Sequence, residues 1–385
     1  MRIPVKYNFR SLMVRRVSTF MTVMGIGLTV GIVVVLLAMI RGLDLTFTET
    51  GDDLNLVIVR KGAESEVTSY FAPNAYDLVR YLPGVVRDTG NEPLAVGEIV
   101  VVINLPRKDG GESNIAVRGT SEKSFLLRPE VQIVAGRKFR PGVRELIVSR
   151  SLLERVEGLD VGSEIELHGV PWTVVGLFDA GSSAYASEIW TGYTDVAQTW
   201  QRPVYSSLLL RAESAEAAES IKRRVSEDQR IQLDAFTQKE FFSNQTVSSV
   251  GLKVLATLVA VIMGVGSCFA VMNMMYGQVM SRRQEIATLR ALGFRRRHIV
   301  SSFLVEALIL SFFGGLTGCL LGSLFHGYSA GTSNLMSFSE IVFNFRVTPE
   351  VLSAGLAYAL VVGLFGGFLP ARQAATVRLA EILRQ

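Results

Sequence analysis

Between residues 281 and 303 the chain reads SRRQEIATLRALGFRRRHIVSSF, with six arginines (Arg282, Arg283, Arg290, Arg295, Arg296, Arg297) against one acid, Glu285. A further acid, Glu306, follows inside an apolar run. Guanidinium groups in a fixed fork recognise carboxylates, phosphates and anionic surfaces, so this cluster offers binding rather than bond-making chemistry. Residue sets that make and break bonds are missing. His168, the only histidine between residues 41 and 249, stands beside Gly169 and reads as a solvated turn residue rather than a ligand. Asp52-Asp53 and Glu64/Glu66 are neighbours in sequence only and read as acidic surface. The sequence has no GxSxG, no Walker A phosphate loop and no Cys/His spacing that would hold a metal. No catalytic residue, no metal and no cofactor is therefore expected on the chain, which is not itself an enzyme. Without aromatic-interleaved basic patches, no nucleic acid is expected either.

The elements that carry these residues are dominated by hydrocarbon. Of 385 residues, 49% are hydrophobic and 19% charged, against about 25% charged in ordinary soluble domains. Four windows, Val17–Ile40, Val250–Met280, Ser301–Phe325 and Val351–Pro370, reach or approach the roughly 20 residues that cross a bilayer core. The first is too long for a signal-peptide core and lacks a small-residue cleavage site, so it reads as a retained helix. Cys268 and Cys319 both fall in these windows, which argues against a disulfide framework.

Basic residues orient the four helices. Residues 1–16 carry five and no acid, the 281–300 connection six, and the end of the chain adds Arg372, Arg378 and Arg384, whereas 326–350 has Arg346 against Glu340 and Glu350. The excess of arginine and lysine on cytoplasmic connections then puts both termini inside. The expected order is a cytoplasmic amphipathic helix at 1–16, membrane helices at 17–40, 250–280, 299–325 and 350–370, an extracytoplasmic domain at 41–249, a cytoplasmic helix at 281–298, an extracytoplasmic loop at 326–349 and a cytoplasmic tail at 371–385. The fold class is a membrane protein of four transmembrane helices with a large α+β domain between the first and second.

That domain, with 23 basic and 30 acidic residues, is long enough to bury its own core and to divide into two lobes. NLVIVRKG at 55–62 reads as a strand, and PNAYDLVRYLPGV at 73–85 as a helix begun by proline. GEIVVVINLP and SNIAVRG flank a turn containing Gly110 and Gly111, which predicts a hairpin. Alternation around His168-Gly169 predicts another.

The membrane windows carry small residues at helical spacing: Gly27 and Gly31 on the first, Gly314, Gly318 and Gly322 on the third. Such stripes let helix backbones approach closely, either within one four-helix unit or at a dimer or moving interface. Glu306 is expected roughly 12 Å along its helix at 1.5 Å per residue, within reach of the arginine cluster for an ion pair. In the cluster itself, Ile286, Leu289 and Leu292 form an apolar stripe and Gly293 is placed to end the helix. A segment that short needs a surface to lie on. Anionic lipid would use its charge alone; a protein groove would use the stripe and Glu285 as well.

At this point the residues resemble a known family. RRQEIATLRALGFRRRHIVSSFLVEALILSFFGGLTGCLLG is similar to the FtsX-like permease module, and AVRGTSEKSF, AGRKF, ELIVSRSLLERV, GLDVGSEIEL and WTVVGLFD resemble the MacB-type periplasmic domain that precedes it. The ending LPARQAATVRLAEILRQ fits the same module. The resemblance implies a permease of a MacB/FtsX-type ABC transporter in a bacterial inner membrane. It implies a coupling helix carrying Arg283, Glu285, Ile286, Leu289, Arg290, Leu292 and Gly293 that docks on a nucleotide-binding subunit. ATP and Mg would belong to that separate ATPase chain, and movement, rather than a channel, would reach the outer domain. The implied partners are the ATPase, a second copy or a paralogous permease, membrane lipid and, for an exporter of periplasmic or outer-leaflet cargo, an adaptor and outer-membrane channel. The alternative is an FtsX-type signalling or scaffold permease regulating a cell-wall hydrolase, a role in which the outer domain would be small.

Overall fold

A computed structural model of the chain describes residues 16–48, 50–245, 250–333 and 338–376. The expected amphipathic segment, apart from Arg16, and the tail beyond Thr376 lie outside the described residues. The chain forms two compact units, one of long helices and one made of residues 42–250 with 329–344.

Among the described residues of the chain, four helices are long and apolar enough to cross a membrane: Arg16–Phe47, Gly251–Ser281, Arg296–Ser323 and Pro349–Ala375. Between the second and third lies the arginine helix, Arg283–Ala291. Hydropathy alone misplaces several ends. The first helix continues past Ile40 to Thr48, because Leu43 and Phe47 are buried and hold the polar stretch helical. The third begins at Arg296, inside the expected coupling segment, after Arg295 turns to an extended conformation. The fourth does not stop at Pro370 but carries it in its interior to Ala375. Burial of Ala371, Ala374 and Ala375 shows why: close packing holds the helix through the missing N–H, as membrane-type helix packing commonly does.

Close approach is built on glycine. A methyl added at Gly314 would stand 2.7 Å from Ile26 Cβ, one at Gly318 2.5 Å from Val30 Cβ, and one at Gly322 2.5 Å from Val34 Cγ1. Opposite them, Gly27 and Gly31 present their α-carbons to Thr317 and to the Gly318 carbonyl. Both stripes thus meet each other, first helix against third, within one chain. Gly363 and Gly367 of the fourth helix admit Ser311 and Ala307 of the third in the same way. Polar ties cross between helices as well: Tyr358 donates to the Ala260 carbonyl at 2.8 Å and Ser267 to Thr29 Oγ1 at 2.8 Å.

The other unit is built on a ten-stranded sheet. Its strands are β1 (Asn55–Arg60), β2 (Ala95–Pro106), β3 (Glu112–Thr120), β4 (Gln132–Gly136), β5 (Glu145–Ser149), β6 (Glu164–Leu167), β7 (Val170–Asp179), β8 (Glu188–Gly192), β9 (Ser207–Arg211) and β10 (Leu233–Thr237). The spatial order is β10-β1-β9-β2-β3-β8-β5-β7-β4, with β6 on β7. The β2–β3 hairpin pairs Ile99 with Gly119 through to Pro106 with Glu112, turned at Gly110 and Gly111, both at positive φ. The β6–β7 hairpin turns on His168 and Gly169, at φ 51° and 75°, the primed turn that matches strand twist. Parallel pairing of β3 with β8 and β5 with β7 makes the sheet mixed. One core, around Leu56, Ile58, Leu208 and Leu210, is closed by helices Pro73–Arg80 and Ala215–Glu227, in which Val79 and Ile221 are buried. A second core gathers Ile99, Val117, Val148, Trp172 and Ile189. The two lobes expected from length share one sheet.

The connection expected as a loop at 326–349 contains two further strands, β11 (Ser329–Ser333) and β12 (Glu340–Asn344), paired antiparallel. Ile341, Val342 and Phe343 are all buried, so no alternation betrays the strand in the sequence.

Candidate functional site

The arginine helix is set off from the second long helix by a single non-helical residue. Arg282, at φ −112° and ψ 17°, precedes the first turn at Arg283, and its backbone N–H still donates to the Gln278 carbonyl at 3.2 Å. Its side chain turns inward. Nη1 stands 3.1 Å from Glu306 Oε2 of the third long helix, and Nε stands 3.1 Å from Glu285 Oε2 one turn on. The guanidinium also lies 5.6 Å from the Phe303 ring centroid. One cation therefore joins the second helix, the arginine helix and the third helix. A buried carboxylate costs several kcal/mol unless paired, by order of magnitude, so Glu306, 1% exposed, is held by this pairing.

At its other end the helix closes with a left-handed glycine. Gly293 has φ 92°. Its N–H donates to the Arg290 carbonyl at 3.1 Å, and that of Phe294 to the Leu289 carbonyl at 3.2 Å. This is the paired-bond termination that spends the last carbonyls of a helix on the turn itself. The stop is sharp, and Arg295 follows extended into the third long helix.

The apolar stripe does not act as one surface. Ile286 and Ala287 are buried, Leu289 is half-buried, and Leu292 is 72% exposed. Arg283 and Glu285 are exposed with it, and Arg290 is half-buried. Ile286 therefore seats the helix against its own bundle. The face left for another molecule is cationic, with Leu292 as its apolar centre.

The other unit holds a second charged cluster that sequence reasoning missed. Arg118, near the end of β3 and 1% exposed, reaches Glu66, Glu98 and Glu188, each at 2.7 Å. Arg128 reaches the same Glu98 at 2.7 Å. Thr120 and Ser124 donate to Glu98, Ser207 to Glu66 and the Trp190 indole to Glu188. Glu66, expected on an acidic surface, is thus largely buried and paired. Burial alone would push the Glu98 carboxyl up, but Arg128 and Arg118 hold it well below the usual carboxylate range. Glu66 is lowered for the same reason, burial opposed chiefly by Arg118. Burial also pushes the Tyr185 phenol, packed under both guanidiniums, up to about 12. Every charge here has partners, and only the edges of Glu66 and Glu188, about a tenth exposed, reach solvent, so the cluster orders the domain. The signal was present: a lone Arg118 and a lone Glu98 inside β-branched runs are out of place unless they meet.

No group of three or more His, Cys, Asp or Glu that could hold a metal occurs among the described residues. His168 is exposed and stacks on Trp200 at 5.6 Å. The free thiols Cys268 and Cys319 make weak contacts to the carbonyls of Val362 and Leu352.

Comparison with known proteins agrees with this division. Residues 19–228 match the MacB-like periplasmic core domain and residues 257–378 the FtsX-like permease C-terminal module. The macrolide export ATP-binding/permease protein MacB of Acinetobacter baylyi is 25% identical over 396 positions, covering 95% of this chain but 57% of that protein. The chain spans about half the length of such curated relatives. An uncharacterized ABC transporter permease of Bacillus subtilis, YknZ, is 22% identical and is covered end to end, 99% of this chain and 98% of the relative. The crystal structure of the periplasmic region of MacB from Actinobacillus actinomycetemcomitans aligns with 56% of this chain at 12% identity and a TM-score of 0.38. With one family model on the inserted domain and another on the last three long helices, the chain belongs to the MacB/FtsX-type family of ABC transporter permeases.

Proposed function

We propose that this permease works by mechanotransmission. A separate ATPase subunit, carrying ATP and Mg, docks on the arginine helix in the cytoplasm, and its closing and opening are passed through the long helices to the inserted domain outside. That movement drives export or extraction of a periplasmic or outer-leaflet cargo. A second copy or a paralogous permease completes the pair, and an adaptor with an outer-membrane channel carries the cargo onward. In this orientation both termini are cytoplasmic, and the exposed arginines of 281–297 lie against the ATPase and anionic lipid.

The observation that carries the reading is the triple tie of Arg282. A helix that merely lay on lipid would need charge but no rigid mount. This one is fixed to two long helices by a buried cation between Glu285 and Glu306, while Leu292 and Arg283 face outward. A push on that outer face moves the mount with it. The test is mild-detergent purification of the chain from its native membrane with mass spectrometry of what accompanies it. An ATP-binding protein with a Walker A loop, lost in Leu292→Arg, supports the reading. Its absence from the wild-type preparation overturns it, and recovery of a cell-wall hydrolase in place of an adaptor points to the signalling role.

A further inference from the structure

The last residues of the first helix, the turn Ala184–Ser187 and the β11–β12 pair meet in one place within the inserted unit. Thr50, two residues beyond the first helix, accepts the Ala184 N–H at 2.7 Å and donates to the Thr46 carbonyl at 2.5 Å. Three residues on, Ser187 accepts the buried Val342 N–H of β12 at 2.7 Å. Gly42 of the first helix packs beneath Asn344 and Phe343, leaving no room for a side chain. Glu188, next after the turn, pairs with buried Arg118, and Tyr185 within it accepts from Gln238 at 2.6 Å.

The strand pair is fastened by charge as well. Glu340 pairs with Arg155, lies 3.4 Å from Arg107 Nη1 and accepts from Ser113. Asn114 donates to the Phe338 carbonyl at 3.0 Å. At this seam a small cavity of about 40 Å³, with a mixed polar and apolar lining, is bordered by Glu66, Arg118 and Glu188 of the cluster and by Ser339, Glu340 and Ile341 at β12. That is room for water, since roughly 10–15 Å³ of such volume holds one molecule. The seam joins apolar side chains at β12 to an ion-paired margin.

We propose that the β11–β12 pair is a second arm loading the Ala184–Ser187 turn, with Glu340 and Ser187 as its positioning residues. The first helix reaches that turn through Thr50; the third and fourth, whose chain continues directly into β11 and out of β12, reach it through Ser187. Motion of three helices converges on one turn that sits on the buried Arg118 cluster. This rests on the mechanotransmission reading.

The test is hydrogen exchange by mass spectrometry on the full chain with its ATPase in lipid nanodiscs, with and without ATP. In the wild type, ATP changes exchange at 184–188 and 340–344 together. Glu340→Gln raises exchange at 340–344 about tenfold, as loss of a part-buried pair should, and roughly halves the ATP response at 184–188 by removing one of two arms. The ATPase rate and the tryptophan-monitored melt stay as in the wild type. Arg155→Glu combined with Glu340→Arg restores the response. If Glu340→Gln does not accumulate, Ser187→Ala, which removes only the acceptor for Val342, shows the same loss. A wild-type ATP response at 184–188 in these variants overturns the arm and leaves the coupling reading standing. No ATP response anywhere in the wild-type domain overturns both.

Discussion

Arg282 Nη1 lies 3.1 Å from Glu306 Oε2, with side chains only 9% and 2% exposed, and the same guanidinium holds Glu285. Removing one member of such a pair takes a close, buried counter-charge from the other. Arg282→Ala leaves Glu306 buried without this cation, at an expected cost of about 3–5 kcal/mol. Glu306→Gln costs less, since Arg282 keeps Glu285. Replacing both with apolar residues of similar volume, Arg282→Met with Glu306→Leu, restores much of the stability but removes the mount. Thermal unfolding in detergent separates these variants, and ATPase co-purification of the double variant reports the mount alone.

The glycine stripes predict graded effects. Gly318→Ala drives a methyl to 2.5 Å from Val30 Cβ and 2.7 Å from the Gly27 carbonyl, an overpacking worth about 1–3 kcal/mol. Gly25→Ala meets nothing within 4 Å and is neutral, or stabilising by about 0.5–1 kcal/mol through helix propensity. Melting curves of the two proteins, prepared in parallel, test this. Equal losses would mean that the first and third helices do not pack through Gly318.

The buried cluster of the inserted domain sets its acid sensitivity. Glu98 and Glu66 are held below their ordinary value of 4.5, so their contribution is complete above that pH and is lost as the pH falls through their lowered values. Arg118→Met reverses the sign. Glu66 loses its guanidinium, its carboxyl rises, and the penalty of about 3–5 kcal/mol shrinks as acid neutralises it. The three tryptophans, Trp172, Trp190 and Trp200, all lie in this domain. Fluorescence-monitored unfolding of the whole chain from pH 7 to 3 therefore reads it selectively. A penalty for Arg118→Met that grows towards pH 3 would contradict the assignment.

Much of this was legible in the sequence because membrane helices and half-buried hairpins announce themselves by composition and period. The four long apolar runs, the turn residues Gly110-Gly111 and His168-Gly169, and the proline opening the helix at Pro73 each fix a local choice unaided. What was hidden depends on long-range partners. β8 and β12 are short and buried on both faces, so their residues do not alternate. The helix through Pro370 and the extension past Ile40 are decided by packing that no window sees. Arg118 could be noticed as out of place, but Glu66, Glu98 and Glu188 converge on it only once β3 lies between β2 and β8. The split of the stripe into a seated Ile286 and an outward Leu292 follows from where Arg282 turns the chain.

Within the arginine helix, position decides the phenotype. Ile286→Glu buries a charge without a partner and lowers stability by several kcal/mol, by order of magnitude. Leu292→Arg alters an exposed side chain and shifts stability by less than about 0.5 kcal/mol, yet abolishes transport-linked ATPase docking. Melting temperature and membrane abundance, measured beside docking, distinguish a seated residue from a contacting one.

The most direct test of the account is site-specific photo-crosslinking from position 292 in native membranes, with mass spectrometry of the adduct. The account predicts one dominant adduct, an ATP-binding subunit bearing a Walker A loop, and its loss when Arg283 is replaced by Glu. Adducts only to lipid, or to no ATP-binding protein, would contradict the claim that this helix receives the ATPase.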